Sequence, residues 1–114
     1  MPDLKTLLAP VTDLDAAKAV YGALLGVAPT TDEAYYVGYE LPDLQIGLVP
    51  NGAAQGMTGP VAHWHVDDIA ATVASLTAAG ATATQEPHDV GGGRQVATLA
   101  DADGNPIGLI QDRG

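Results

Sequence analysis

The sequence predicts an α+β domain made of two tandem copies of a strand–helix–strand unit, with a mixed sheet covered by helices on one face. The segment VTDLDAA at 11–17 is repeated as VDDIAAT at 66–72, and the triplet IGL occurs at both 46–48 and 107–109. Apolar residues recur at helical spacing after each first segment, and short β-prone runs flank both helices. A repeat of this length indicates two equivalent structural modules.

The first half is predicted to begin with a strand at Leu4–Ala9 that ends at Pro10. Asp13 is the expected N-cap and Gly26 the expected C-cap of the helix that follows. Its buried face is predicted to consist of Leu14, Ala17, Tyr21, Leu24 and Leu25. A β-prone stretch within 32–41 and an apolar run at 44–49 complete this half.

The second half repeats the order, with a strand at 61–66 and a helix capped by Asp68 and Gly80. The buried stripe of this helix is predicted to be Ile69, Val73, Leu76 and Ala79. Three further strands are expected at 82–85, 95–100 and 106–111, with turns at 91–93 and 103–105. We therefore predict one domain of residues 1–114, with module one at about 1–50, a connector at 51–60 and module two at about 61–114.

Composition limits the partners that the chain is expected to have. Its 114 residues are 46% hydrophobic, which suits one compact domain, and its net charge of −10 would repel a phosphate backbone. There is no run of eighteen apolar residues and no signal-peptide pattern at the N-terminus. The sequence thus predicts no nucleic-acid partner, no membrane partner and a cytoplasmic location.

Three motifs in order resemble the vicinal oxygen chelate superfamily, which contains glyoxalase I, bleomycin-resistance proteins and extradiol dioxygenases. They are VDDI at 66–69 leading into a helix, AAG at 78–80 and DADGNPIGL at 101–109. The likeness covers almost the whole chain. It implies two tandem βαβββ modules that form a mixed, strongly curved sheet, with helices on the outer face and a ligand cavity on the inner face. It also implies a homodimer.

Many members of that superfamily hold a divalent ion with four inward side chains, and the matching positions here are occupied by Thr6, Gly47, Val61 and Gly108. Glycine and valine offer no side-chain ligand, and one neutral hydroxyl is a poor ligand for a divalent ion. The resemblance carried over residue by residue therefore predicts no metal and no cofactor. The two glycines and the valine are instead expected to leave open space for an organic ligand.

Strand alternation predicts that His63 and His65 point into the cavity with Val61, whereas Trp64 points outward as a core anchor against the second helix. The ligand is expected to be a largely apolar or aromatic small molecule. The predicted ligand-binding residues are Thr6, Leu8, Tyr36, Gln45, Gly47, Val61, His63, His65, Arg94, Val96, Gly108 and Ile110.

The favoured hypothesis is a metal-independent small-molecule binding protein of the glyoxalase/bleomycin-resistance type. The competing hypothesis is a small lyase, isomerase or hydrolase of the same superfamily, with His63 and His65 as catalytic general acid or base. Two more hypotheses stay open: the two imidazoles hold an off-pattern metal ion, or the chain is a regulatory module. Asp67 and Asp68 are assigned to helix capping, and Asp101 and Asp103 to the last hairpin turn.

Overall fold

The computed structural model describes residues 3–50, 52 and 57–112, so residues 51 and 53–56 of the predicted connector lie outside the described residues. The described chain is an α+β structure in which each module has the order βαβββ. The elements of the first module are β1 (Asp3–Pro10), α1 (Leu14–Leu25), β2 (Thr31–Glu33), β3 (Tyr36–Glu40) and β4 (Gln45–Val49). Those of the second are β5 (Val61–His65), α2 (Ile69–Ala78), β6 (Thr82–Asp89), β7 (Gln95–Ala100) and β8 (Pro106–Gln111).

Residues 6–61 form one compact unit of the described chain. Within it β4 pairs in parallel with β1 and antiparallel with β3, and β3 pairs antiparallel with β2. One face of these strands contributes a buried apolar cluster against which α1 packs. The strand residues of this cluster are Ala9, Val37, Tyr39, Ile46 and Leu48, and the helix residues are Leu14, Ala17, Tyr21 and Leu25. The opposite strand face is therefore free of α1.

Residues 62–112 form the second compact unit together with residues 3–5. Here β8 pairs in parallel with β5 and antiparallel with β7, and β7 pairs antiparallel with β6. Ile69 and Val73 of α2 pack on a strand face that presents Ala97, Leu99 and Leu109. The two units thus repeat one architecture, a helix lying on one face of a four-stranded mixed arrangement.

Capping interactions mark the ends of both helices. The Asp13 carboxylate accepts a hydrogen bond from the Ala16 amide at 3.0 Å, and Asp68 accepts one from Ala71 at 3.1 Å. Gly26 ends α1 in the left-handed conformation, with φ of 71°. The C-cap of α2 is Ala79, one residue before the predicted Gly80. Gly80 and the next residue return hydrogen bonds to the carbonyls of Thr77 and Leu76, in a Schellman motif.

Two predicted core contacts are wrong. Leu24 is 73% exposed because it lies at the edge of the apolar stripe, in the last turn of α1. Trp64 is 38% exposed and lies outside the apolar cluster of α2. Its partner in the strand register is Leu109, so it does point toward the helix side. However, α2 packs on Ala97, Leu99 and Leu109, which belong to β7 and β8, whereas Trp64 belongs to β5.

Two smaller differences concern the second module. Ala79, predicted to be part of the buried stripe of α2, is exposed because the helix has already ended there. Strand β6 extends to Asp89, four residues past the predicted end, and its pairing with β7 contains register shifts. No helix among the described residues is long and apolar enough to cross a membrane.

Candidate functional site

The strand face opposite α2 brings together most of the polar residues that were predicted for the second module. The register pairs His63 with Gly108 and His65 with Ile110, and Ile110 in turn pairs with Val96. Side chains of paired residues point to the same side of a sheet, whereas neighbours along a strand alternate. These five residues therefore share the face that α2 leaves uncovered.

The imidazole of His63 lies directly over the backbone of Gly108. A Cβ atom built on Gly108 would come within 2.6 Å of both Cγ and Nε2 of His63. Real Cβ contacts are essentially never this short, so the ring and any side chain at position 108 exclude each other. His63 is only 3% exposed. Its ring is thus a packed part of this strand face, seated on the one residue type that leaves room for it.

A tyrosine makes the equivalent contact in the first unit. Gly38 and Gly47 are directly paired across β3 and β4, and the ring of Tyr36 lies over both. A Cβ on Gly38 would be 2.9 Å from Tyr36 Cε2, and one on Gly47 would be 2.7 Å from Tyr36 Cε1. Leu8 covers Gly47 from the neighbouring strand, with its Cδ2 atom 2.6 Å from the same position. The ring and the leucine together fill the space over this glycine pair.

The open space predicted at Gly47 and Gly108 is therefore absent. An aromatic ring lies over the backbone at each position. A glycine in the sequence shows that a side chain is missing there, but not that a ring from another residue fills the space. A carboxylate at either position would have to displace Tyr36 or His63.

The other two positions implied for a metal ligand do not fit a divalent ion either. Thr6 is fully buried, and its hydroxyl donates to Gln45 Oε1 at 3.3 Å, while Val61 has no donor atom and is also buried. Within the described residues no group of three or more His, Cys, Asp or Glu side chains is placed to hold a metal ion. The residues present do not match the divalent ion that the superfamily implies.

The partly accessible portion of the face opposite α2 carries a cluster of three charged or titratable groups. Arg94 donates from Nε to Asp112 Oδ1 at 2.6 Å and from Nη2 to Oδ2 at 3.1 Å. Nδ1 of His65 lies 3.5 Å from Asp112 Oδ2. Asp112 thus stands between a guanidinium and an imidazole. We refer to Arg94, Asp112 and His65 as the charged cluster.

Electrostatics in the charged cluster favour a neutral imidazole beside an ionised aspartate. Burial lowers the pKa of His65 from its ordinary value, and the positive charge of Arg94 lowers it further, although the Asp112 carboxylate acts in the opposite direction. The hydrogen bond from Arg94 lowers the pKa of Asp112. At neutral pH His65 is therefore an uncharged group that can accept a proton or a hydrogen bond.

The predicted site residues separate by accessibility. Six of them are buried, namely Thr6, Gly47, Val61, His63, Gly108 and Ile110. The other six keep part of their surface, namely Leu8, Tyr36, Gln45, His65, Arg94 and Val96. A ligand therefore reaches the second set without displacing a side chain, whereas the first set has almost no accessible surface. Among the other tyrosines of β2–β3, Tyr39 is core and Tyr35 is exposed.

Sequence reasoning missed Asp112 as a site residue. The signal was present, since Asp112 has the same strand parity as Gly108 and Ile110, but it follows the last residue of β8. The turn assignments fare better. Asp101 accepts hydrogen bonds from the amides of Asp103 and Asn105. The three glycines at 91–93 all have positive φ in the turn before β7.

Known proteins share this fold. A sequence model of the Glyoxalase/Bleomycin resistance protein/Dioxygenase superfamily matches residues 4–109. No curated protein sequence matches the chain.

Among solved structures, the chain is similar to the NAD-dependent benzaldehyde dehydrogenase from Legionella pneumophila, with a TM-score of 0.78 and 14% identity over 95% of this chain and 98% of that chain. It is also similar to methylmalonyl-CoA epimerase from Mycobacterium tuberculosis, with a TM-score of 0.72 and 19% identity over 98% of this chain and 89% of that chain. For the Mn(II)-bound glyoxalase from Novosphingobium aromaticivorans the TM-score is 0.68 and the identity 20%, over 98% of this chain and 40% of that chain. At these identities the likeness shows the fold alone.

Replacing Gly108 with alanine should destabilise the protein, because the new methyl group would meet the ring of His63. We expect a loss of about 1–3 kcal/mol in the free energy of unfolding, measured by urea denaturation. Gly59→Ala is the matched control, since a Cβ there meets nothing within 4 Å. The double variant His63→Ala/Gly108→Ala should show strong coupling. Additive losses would contradict the contact.

An NMR titration of the His65 ring should give a pKa below its ordinary value of about 6.5. Arg94→Gln should raise it, because a nearby positive charge is removed, whereas Lys18→Gln in the other unit should leave it unchanged. The unfolded chain binds this proton near pH 6.5 and the folded chain only at lower pH. Stability present above pH 6.5 is thus lost as the pH falls through the folded pKa, and His65→Gln should reduce that loss. A folded pKa above 6.5 would refute this account.

Proposed function

Because this chain belongs to the Glyoxalase/Bleomycin resistance protein/Dioxygenase superfamily, we propose that it binds a small, largely apolar or aromatic molecule without a divalent ion. The observation that carries the proposal is the seating of the His63 ring on Gly108, at a position where the superfamily's metal sites need a carboxylate. The equivalent seating of Tyr36 on Gly47 supports it in the first unit. Both rings occupy volume that a ligand of the ion would require.

The binding surface that we propose is the face opposite α2 in residues 62–112. Val96 offers apolar contact area there, and His65 and Arg94 offer polar groups at its accessible side. Small-molecule sites commonly combine an apolar lining with a few fixed polar groups of this kind. The neutral imidazole of His65 favours an organic ligand over an inorganic cation, because it sits beside the positive charge of Arg94.

In residues 6–61, the strand face opposite α1 is a second candidate contact surface. Its partly accessible groups are Leu8, Tyr36 and Gln45. The amide of Gln45 is oriented by the Thr6 hydroxyl, and the ring of Tyr36 packs over Gly38 and Gly47. Side chains fixed in this way lose little rotamer freedom when a ligand binds.

The second candidate function is metal-independent acid–base catalysis by His65. The observation that favours it is the Asp112 carboxylate 3.5 Å from Nδ1 of His65, an arrangement that orients an imidazole and stabilises its protonated form. Neutral His65 would accept a proton from a bound carbon acid or from water and return it from the same nitrogen. We assign no proton transfer to His63, because its ring is buried. The homodimer and the cytoplasmic location stay predictions.

A thermal-shift screen tests whether binding is independent of a metal ion. A library of small apolar and aromatic compounds would be screened by thermal shift with and without EDTA, and Mn²⁺, Zn²⁺ and Ni²⁺ would be tested alone. We expect at least one compound to raise the Tm by the same amount with and without EDTA, because ligand at 100 times Kd stabilises the folded state by about 2.7 kcal/mol. The ions alone should give no rise in Tm. Compound binding that EDTA abolishes would overturn the proposal.

The bound compound would then be incubated with the protein in D₂O and followed by NMR. Deuterium exchange that is lost in His65→Gln but kept in Lys18→Gln would assign acid–base catalysis to His65. Lys18 is a suitable control because it belongs to α1 in residues 6–61 and pairs with Asp32. Binding with no exchange and no chemical change would leave the protein a binding protein.

A further inference from the structure

We propose that the ligand of the face opposite α2 carries a carboxylate, and that the end-on edge of the Arg94 guanidinium binds it. This inference rests on the proposed binding function and adds the chemical class of the ligand. It starts from the hydrogen bonds of Arg94, which is one of only four basic residues in the chain.

Arg94 uses one edge of its guanidinium and leaves the other unused. The side edge, formed by Nε and Nη2, donates two hydrogen bonds to Asp112. A guanidinium has five N–H donors, so three remain, two on Nη1 and one on Nη2. One N–H of each terminal nitrogen forms the end-on edge, and this edge makes no hydrogen bond with any residue in the part of the chain that the structure describes. This edge matches the two oxygens of a carboxylate.

Asp112 holds the guanidinium in place for that contact. Two hydrogen bonds from one planar group fix its plane as well as its position, so less rotamer entropy is lost when a ligand binds. Asp112 is ionised at neutral pH, because the hydrogen bond from Arg94 favours its charged form and lowers its pKa. The Arg94 side chain is 29% exposed, which leaves it open to a solute.

Charge selects a monoanion over a dianion. The Asp112 carboxylate already offsets the charge of Arg94, and the whole chain carries a net charge of −10. A phosphate ester with two negative charges would be repelled more strongly than a carboxylate with one. Val96 lies next to the charged cluster on the same face and suits the apolar body of the ligand. The expected class is therefore an apolar or aromatic monocarboxylic acid.

The test compares three probes of similar shape by isothermal titration calorimetry, namely phenylacetate, phenylacetamide and phenyl phosphate. Phenylacetate should bind at least about tenfold more tightly than either of the others, as expected for a charge-assisted bidentate contact. Arg94→Gln should remove that preference, and Arg94→Lys should retain a part of it, because lysine supplies the charge without the planar fork. Lys18→Gln is the matched control, since it removes another aspartate-paired cation, and it should change nothing.

Three results would overturn the inference. They are amide binding as tight as that of the acid, no saturable binding of the acid, and acid affinity that is unchanged in a folded Arg94→Gln variant. If uncharged compounds still bind in any of these cases, the proposed binding function stands and only the carboxylate is wrong. If neither the three probes nor any compound of the wider library binds, both proposals fail.

Discussion

A side chain at position 108 and the imidazole of His63 need the same space, and residue 108 is glycine. The same relation holds between position 47 and the ring of Tyr36. This exclusion governs the rest of the site, because it closes the two positions where the superfamily's metal centre would need a carboxylate. It also holds the rings of His63 and Tyr36 in place by packing. Positions 47 and 108 thus carry no metal ligand, and packing fills its place.

The two modules share this packing device but differ in charge. His65 corresponds in the repeat to Pro10, whose side chain has no polar atom. The second module adds Arg94, which precedes β7, and Asp112, which follows β8, and joins both to His65 in the charged cluster. The structure therefore divides the two histidines, with His63 buried on a glycine and His65 accessible beside a carboxylate. Chemistry specific to this protein is expected where the repeat is broken.

Local rules predicted most of the fold. Helix caps at Asp13 and Asp68 and the strands at 95–100 and 106–111 follow from residues close in sequence. The misses depend on tertiary geometry. Trp64 points to the helix side but lies outside the apolar cluster on which α2 packs, and strand periodicity predicts the side of the sheet but not that contact. The filled space over Gly47 depends on a tyrosine eleven residues earlier, and the pair Arg94–Asp112 spans 18 residues. Strand parity narrowed the candidates but did not identify that pair.

Nuclear Overhauser spectroscopy on the protein in EDTA tests the central claim most directly, because it reports whether the rings lie on the glycines in solution. We expect cross-peaks from the His63 ring proton on Cδ2 to the Gly108 α protons, and from the Tyr36 ring to the α protons of Gly38 and Gly47. Addition of Zn²⁺ or Mg²⁺ should leave these peaks in place. Their absence, or their loss when an ion is added, would mean that the rings do not fill the metal positions and would contradict the account.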